Sequence, residues 1–185
     1  MTAKTSSALE WVAIVVVSLL IAAGAIALLS GYFAGQDVAG VSGSSSGPGI
    51  AVRDLGNGHL RPGQRPPHYT SNPPTSGPHV PVSVRRDAAP LTNNQLLQAL
   101  SVGNVVLMYG SSKPPPGLRA LATSVAGPFT PALAAAGQAV ILARRPRIAG
   151  VLGLAWAHLI PVTGPANPAL RQFASYWLGR GAPAK

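Results

Sequence analysis

Four histidines are the residues of this chain best suited to chemistry, and one of them lies in an unusually rigid segment. They are His59, His68, His79 and His158. His79 stands near the end of residues 69–81, YTSNPPTSGPHVP, where the density of proline argues against a helix interior or a central strand. Imidazole is a ligand of copper and zinc, and a proline-stiffened loop reduces the entropy cost of holding one in place. The four histidines are therefore candidate metal ligands, with Met108 as a further soft donor for reduced copper.

Other kinds of catalytic chemistry find few suitable residues. The chain has no cysteine and 4 acidic residues, so it offers no Cys–His couple and little material for a pair of catalytic acids. A Ser-His-Asp triad would need Asp54 or Asp87, and no Gly-x-Ser-x-Gly elbow stands between a predicted strand and a predicted helix. The glycine fingerprints of P-loop and Rossmann proteins are missing as well. We therefore expect a protein that is not an enzyme.

The charge of the chain is strongly basic, with 14 Lys and Arg residues, 4 Asp and Glu residues and a net charge of +10. Two interpretations compete: binding to nucleic acid, and folding in an acidic medium where carboxylates are protonated and cannot form ion pairs. The basic residues are scattered singles and pairs, such as Arg85-Arg86 and Arg144-Arg145, with no basic helix face and no interleaved aromatic residues. This pattern favours an acidophile's protein and predicts that nucleic acid is not a partner.

The N-terminal third predicts a membrane anchor followed by a tether. Residues 11–29, WVAIVVVSLLIAAGAIALL, form an uncharged run long enough to cross a bilayer, and apolar residues continue to position 33. A cleaved signal peptide is the alternative, but it would have a shorter apolar core and a more basic leader than Lys4 alone. Lys4 before the run and Asp37 after it favour a cytoplasmic N-terminus and a C-terminal domain outside the inner membrane, in the periplasm. We divide the chain into a cytoplasmic N-terminus (1–10), a transmembrane helix (11–33), a Gly/Ser-rich tether (34–57) and an extracytoplasmic domain (58–185).

The extracytoplasmic domain is predicted to be α+β, with a small mixed sheet covered by helices. Residues 58–90, rich in proline, form an irregular surface layer that we call the Pro-rich coat. Helices are predicted at residues 93–100, with Thr92 as N-cap, at 118–126, and at 169–178, with Asn167 as N-cap and Pro168 in the first turn. Buried strands are predicted at residues 104–109, 138–143 and 151–160.

Residues 69–79 match the pattern Y-x-S-x-P-P-T-S-G-P-H and resemble the signature of domain of unknown function family 3105. The resemblance extends over roughly residues 58–183. It includes the family's upstream Gly-x-His, present here as Gly58-His59 with one residue fewer. It also includes a strand ending in Tyr109, an Ala-Trp pair at 155–156 and a final Ala-Pro at 182–183. It implies one N-terminal membrane helix and an extracytoplasmic domain.

The family pattern continues with H-x-L-E-H-G, whose His and Glu residues resemble a metal site for which copper is the candidate. Residues 98–103 of this chain read QALSVG, so Gln98, Ser101 and Val102 replace three candidate donors, while Leu100 and Gly103 are retained. His59, His68, His79 and His158 are what remains. The resemblance therefore implies a metal site that is degenerate in this chain.

These observations predict a non-catalytic, membrane-anchored accessory or structural subunit of a larger envelope complex. A respiratory oxidase or electron-transfer assembly is the natural host for such a subunit, with the membrane and other protein subunits as its partners and no cofactor of its own. The alternative is a periplasmic copper-binding or copper-delivery protein that uses the remaining histidines. A third possibility is an anchored domain that has no partner.

Overall fold

The computed structural model describes residues 47–61 and 63–183. The predicted transmembrane helix, and the tether as far as residue 46, lie outside the described residues. Within the described part, no helix is both long enough and apolar enough to cross a membrane.

The domain is built on a five-stranded mixed sheet in the order β1-β5-β4-β2-β3. The strands are β1 (Ile50–Ala51), β2 (Val105–Tyr109), β3 (Val140–Arg144), β4 (Val151–Ala155) and β5 (His158–Val162). Only β2 and β3 are parallel among the described pairs, and they are connected through helices, as parallel neighbours require. The mixed sheet and the α+β class are therefore as predicted.

Four described helices accompany the sheet: α1 (Asn93–Ser101), α2 (Leu118–Ala126), α3 (Pro131–Ala135) and α4 (Pro168–Trp177). Helix α1 begins with a capping box in which the Thr92 hydroxyl accepts a hydrogen bond from the Gln95 amide, and the Gln95 side chain accepts one from the Thr92 amide. Helix α4 begins at Pro168, with the Asn167 side chain accepting a hydrogen bond from the Ala169 amide. Local capping chemistry thus fixes both helix starts as the sequence predicts.

The sheet carries a separate apolar layer on each face because alternate residues of a strand point to opposite sides. Leu96, Leu97 and Leu100 of α1 pack on one face, together with Val106 and Met108 of β2. The other face is covered by α2 and α4. Its buried side chains include Val105, Leu107, Tyr109, Leu118, Leu121, Leu170 and Phe173.

The structure differs from the prediction at residues 151–160, which form a hairpin and not one strand. Strands β4 and β5 pair antiparallel, with Ala155 opposite His158. The turn between them has no glycine; Ala157 takes a left-handed conformation at φ 56°. Its amide donates to the Thr75 carbonyl and its carbonyl accepts from the Val52 amide, so neighbouring segments hold this unfavourable conformation.

Two further elements are not anticipated by the sequence. Strand β1 pairs with β5 and lies within the range assigned to the tether, so the sheet begins before residue 58. Helix α3 follows Thr130, whose hydroxyl accepts a hydrogen bond from the Leu133 amide.

Candidate functional site

The signature loop, residues 69–81, folds inward against its own domain. Thr75, Ser76 and His79 are all buried. The Ser76 hydroxyl accepts a hydrogen bond from the Leu55 amide at 3.1 Å and donates one to the Arg53 carbonyl at 3.3 Å. These contacts join the loop to the segment that follows β1, so the buried hydroxyls satisfy backbone groups that would otherwise be stranded.

The tight turn of the loop depends on Gly77, which has a φ of 127°. A Cβ added there would lie 3.0 Å from the ring of Tyr69. The Tyr69 hydroxyl in turn donates to the Pro78 carbonyl at 2.9 Å, and burial raises the pKa of this phenol. The Tyr69 ring, which packs against Gly77 and bonds to Pro78, therefore holds the first and last parts of the loop together.

His79 is brought next to His59 by backbone pairing. The two residues form a parallel bridge in which the His79 amide donates to the Gly58 carbonyl and the Leu60 amide donates to the His79 carbonyl, both at 2.9 Å. Their imidazole rings meet edge to face, with centroids 5.9 Å apart. His79 has no exposed surface, whereas His59 is exposed.

Both ring nitrogens of His79 face hydrogen-bonding groups. Nδ1 lies 3.0 Å from the Gly77 carbonyl oxygen, which can only accept, so Nδ1 carries a proton. Nε2 lies 3.3 Å from the side-chain amide of Gln98. A neutral imidazole is satisfied when the amide nitrogen of Gln98 faces Nε2, and a protonated one when the amide oxygen does. In both cases Nε2, the nitrogen that a metal would need, is directed at the side chain of Gln98.

The three positions that depart from the family pattern lie at the C-terminal end of α1. Gln98 contacts His79, and the Ser101 hydroxyl donates to the Gln98 carbonyl at 3.0 Å. Val102 ends the helix and is 37% exposed. Gln98 and Val102 also line a small cavity of about 70 Å³. Restored donors at 98 and 102, one helical turn apart, would share the face that meets His79.

The other two candidate histidines lie elsewhere. His68 is exposed in the Pro-rich coat. His158 stacks on Trp177 with ring centroids 3.9 Å apart, and its Nδ1 lies 3.0 Å from the Trp156 carbonyl oxygen. In the described part of the chain no three His, Cys, Asp or Glu residues are grouped closely enough to hold a metal ion. The structure thus joins two of the four predicted ligands.

The acidic residues of the domain serve internal contacts. Asp54 accepts hydrogen bonds from the Trp156 indole at 3.0 Å and from the Gly56 amide at 2.8 Å. Asp87 accepts from the Leu142 amide and forms an ion pair with Arg119 at 2.7 Å. Burial, followed by the Asp87 charge, raises the pKa of Tyr109. Both carboxylates therefore stabilise the fold directly.

The family model described as "Protein of unknown function (DUF3105)" matches residues 62–184. The chain belongs to this family. No curated protein and no solved structure matches the chain. Membership confirms the family predicted from the signature loop and covers the loop, the sheet from β2 onward and all four described helices.

Sequence reasoning missed the partner of His79. The sequence marks Gln98 only as a replaced candidate donor, but in the structure its side-chain amide lies 3.3 Å from the Nε2 atom of His79. The signal was present in the resemblance, because a residue that replaces a candidate ligand is expected to lie beside the other candidates. The indole–carboxylate contact of Trp156 with Asp54 spans 102 positions, and no local pattern predicts it.

Proposed function

We propose that this protein is a non-catalytic, membrane-anchored accessory subunit of a larger envelope assembly. The observation that carries the proposal is the inward direction of the signature loop: buried Ser76 bonds to the Arg53 carbonyl and buried His79 to the Gln98 side chain, while the Tyr69 hydroxyl closes the loop on the Pro78 carbonyl. Such a loop stabilises a scaffold without presenting a reactive group. The predicted transmembrane helix supplies the attachment, and the Pro-rich coat offers an extended, rigid contact surface.

Purification of the full-length chain from its native membrane in mild detergent tests this proposal. We expect other subunits to co-migrate with the chain and to remain associated after His59→Ala. The matched control is His68→Ala, which makes the same change at an exposed position of the coat. A chain that migrates alone, in every detergent that preserves known membrane assemblies of the same cells, would contradict the proposal.

The second candidate function is copper binding, and the apposition of His59 and His79 favours it. A metal–nitrogen bond of about 2.0 Å places a ring centroid about 3 Å from the metal, so two imidazoles that share one ion have centroids about 5–6 Å apart. The observed 5.9 Å falls in this range. To bind, His79 would release Gln98 and offer Nε2, while Nδ1–H would keep its bond to the Gly77 carbonyl, as metal-bound imidazoles usually do.

Copper titration of the full-length chain distinguishes the two functions. If the site is degenerate, the wild type binds copper weakly, and the triple variant Gln98→His, Ser101→Glu, Val102→His binds more tightly. The control is Gln64→His, which adds a histidine in the coat without restoring the helix positions. Stoichiometric copper in the wild type that is lost on His59→Ala would instead support the copper-binding function.

A further inference from the structure

Basic side chains gather at the edge of the sheet where β2 and β3 end. Because these two strands are parallel, their carboxyl ends meet at the same edge. Four cationic residues lie in or next to the loops there, and we call them the basic edge: Lys113, Arg144, Arg145 and Arg147. The loops contact one another, since the Arg144 Nε donates to the Ser111 carbonyl at 3.1 Å.

The charge of the basic edge is not balanced by carboxylates. Arg119–Asp87 is the one ion pair in residues 47–61 and 63–183. The chain has no Asp or Glu after Asp87, so none exists within either loop of the edge. Lys113 and Arg147 are exposed and contribute their charge directly to the surface. An excess of one sign at one edge produces a potential that attracts anions.

Two of the three arginines of the basic edge are held in place by neutral groups. Arg145 donates to the side-chain oxygens of Asn72 at 2.6 Å and Asn93 at 3.2 Å, while Arg144 is held through Nε alone. Neutral acceptors fix the guanidinium without cancelling its charge and leave further N–H groups to bind an oxyanion. These two guanidinium groups are therefore positioned before any partner arrives, which reduces the entropy cost of binding through them.

We propose that the basic edge binds the phosphate headgroups of anionic phospholipids, so that the domain rests against the membrane that anchors it. Guanidinium forks match phosphate oxygens, and a lipid surface can be engaged by exposed loops without a pocket. A nucleic acid would call for aromatic stacking, but Tyr109, the aromatic residue where β2 ends, is buried. This inference rests on the proposed membrane anchor, which brings the domain to a lipid surface.

Each basic residue that is attracted to an anionic leaflet raises the equilibrium constant for lipid binding about fivefold. Changing Lys113 and Arg147 to Gln removes two charges and should reduce the lipid-bound population about 25-fold relative to the free one. The matched control is Arg85→Gln with Arg86→Gln, which removes the same charge from two exposed arginines outside the basic edge.

The test uses the full-length chain in nanodiscs of neutral lipid, with or without anionic phosphatidylglycerol, and a headgroup quencher. Because the chain has no cysteine, Ser112→Cys allows a single fluorophore to be attached at the basic edge. Ser175→Cys places the reference fluorophore at an exposed position of α4. We expect anionic lipid to quench the label at position 112 more strongly than the label at 175. High salt and the Lys113, Arg147 double variant should each abolish the difference, and the Arg85, Arg86 control should retain it.

Each other outcome overturns a specific claim. Equal quenching in neutral and anionic discs would overturn the lipid proposal while leaving the anchor intact. If the double variant loses a co-purifying subunit although lipid charge has no effect, the basic edge binds an acidic protein and not lipid. A chain that elutes without the disc contradicts the anchor. In that case anionic vesicles added to the soluble chain test the basic edge alone, and a failure to bind them would refute the lipid proposal.

Discussion

Replacement of His79 by Ala tests whether the signature loop is architectural. His79 is fully buried, and its ring nitrogens lie 3.0 Å from the Gly77 carbonyl oxygen and 3.3 Å from the side-chain amide of Gln98. Removing the ring leaves both groups without this partner and opens a cavity. The free energy of unfolding should fall by about 1 kcal/mol for each of the two hydrogen bonds and by about 1 kcal/mol for the cavity, or about 3 kcal/mol in total.

The assay is thermal unfolding of the full-length chain in detergent, followed by near-ultraviolet circular dichroism. At about 4 °C for each kcal/mol, the midpoint should fall by about 12 °C in His79→Ala. The control, His68→Ala, removes the same ring from an exposed site and should change stability by no more than about 0.5 kcal/mol. Measurements with and without a chelator separate architecture from metal binding. Equal midpoints for the two variants, or a loss for His79→Ala that disappears when the wild type is also chelated, would refute the reasoning.

Three further predictions concern the fold that supports the loop. Because the raised pKa of Tyr109 favours the protonated phenol in the folded state, stability should hold up to about pH 9 and fall as the pH rises above 10. Tyr109→Phe should make this fall in stability less steep in melts between pH 8 and pH 11. An equally steep fall would contradict the role of Tyr109. Trp156→Phe and Asp54→Ala should each cost about 2 kcal/mol. In denaturant titrations the double variant should cost clearly less than their sum, because both changes remove the same hydrogen bond to a carboxylate; full additivity would count against it. Gly137→Ala should destabilise by more than about 2 kcal/mol, because a Cβ there would clash with a neighbouring carbonyl oxygen, whereas Gly127→Ala, at a similar φ of 75° but in open space, should cost about 1 kcal/mol in the same titrations.

Elements with local signals were predictable from the sequence. Helix α2 begins and ends as predicted, and the starts of α1 and α4 follow from the caps Thr92 and Asn167. Strands β2 and β3 were predicted to within a residue or two because both are short apolar runs. These signals depend on a few neighbouring residues and so survive without knowledge of the rest of the fold.

Elements that depend on distant contacts were not predictable. The β4–β5 hairpin reads as one apolar run, because its turn places Ala157 in a conformation that glycine or asparagine would normally mark. Two-residue β1 exists only through pairing with β5, more than a hundred positions away. The candidate site divides in the same way. The loop and its histidine were evident, whereas the bridge to His59 and the contact with Gln98 arise from tertiary packing.

Metal content and partners of the full-length protein, measured together on one preparation from native membranes, test the central claim most directly. The chain should co-migrate with other subunits and carry no stoichiometric copper attributable to His59 and His79, so His59→Ala should leave both the partners and the metal content unchanged. A chain that migrates alone with one copper ion, and that loses the ion on His59→Ala, would contradict the account and establish the copper-binding function in its place.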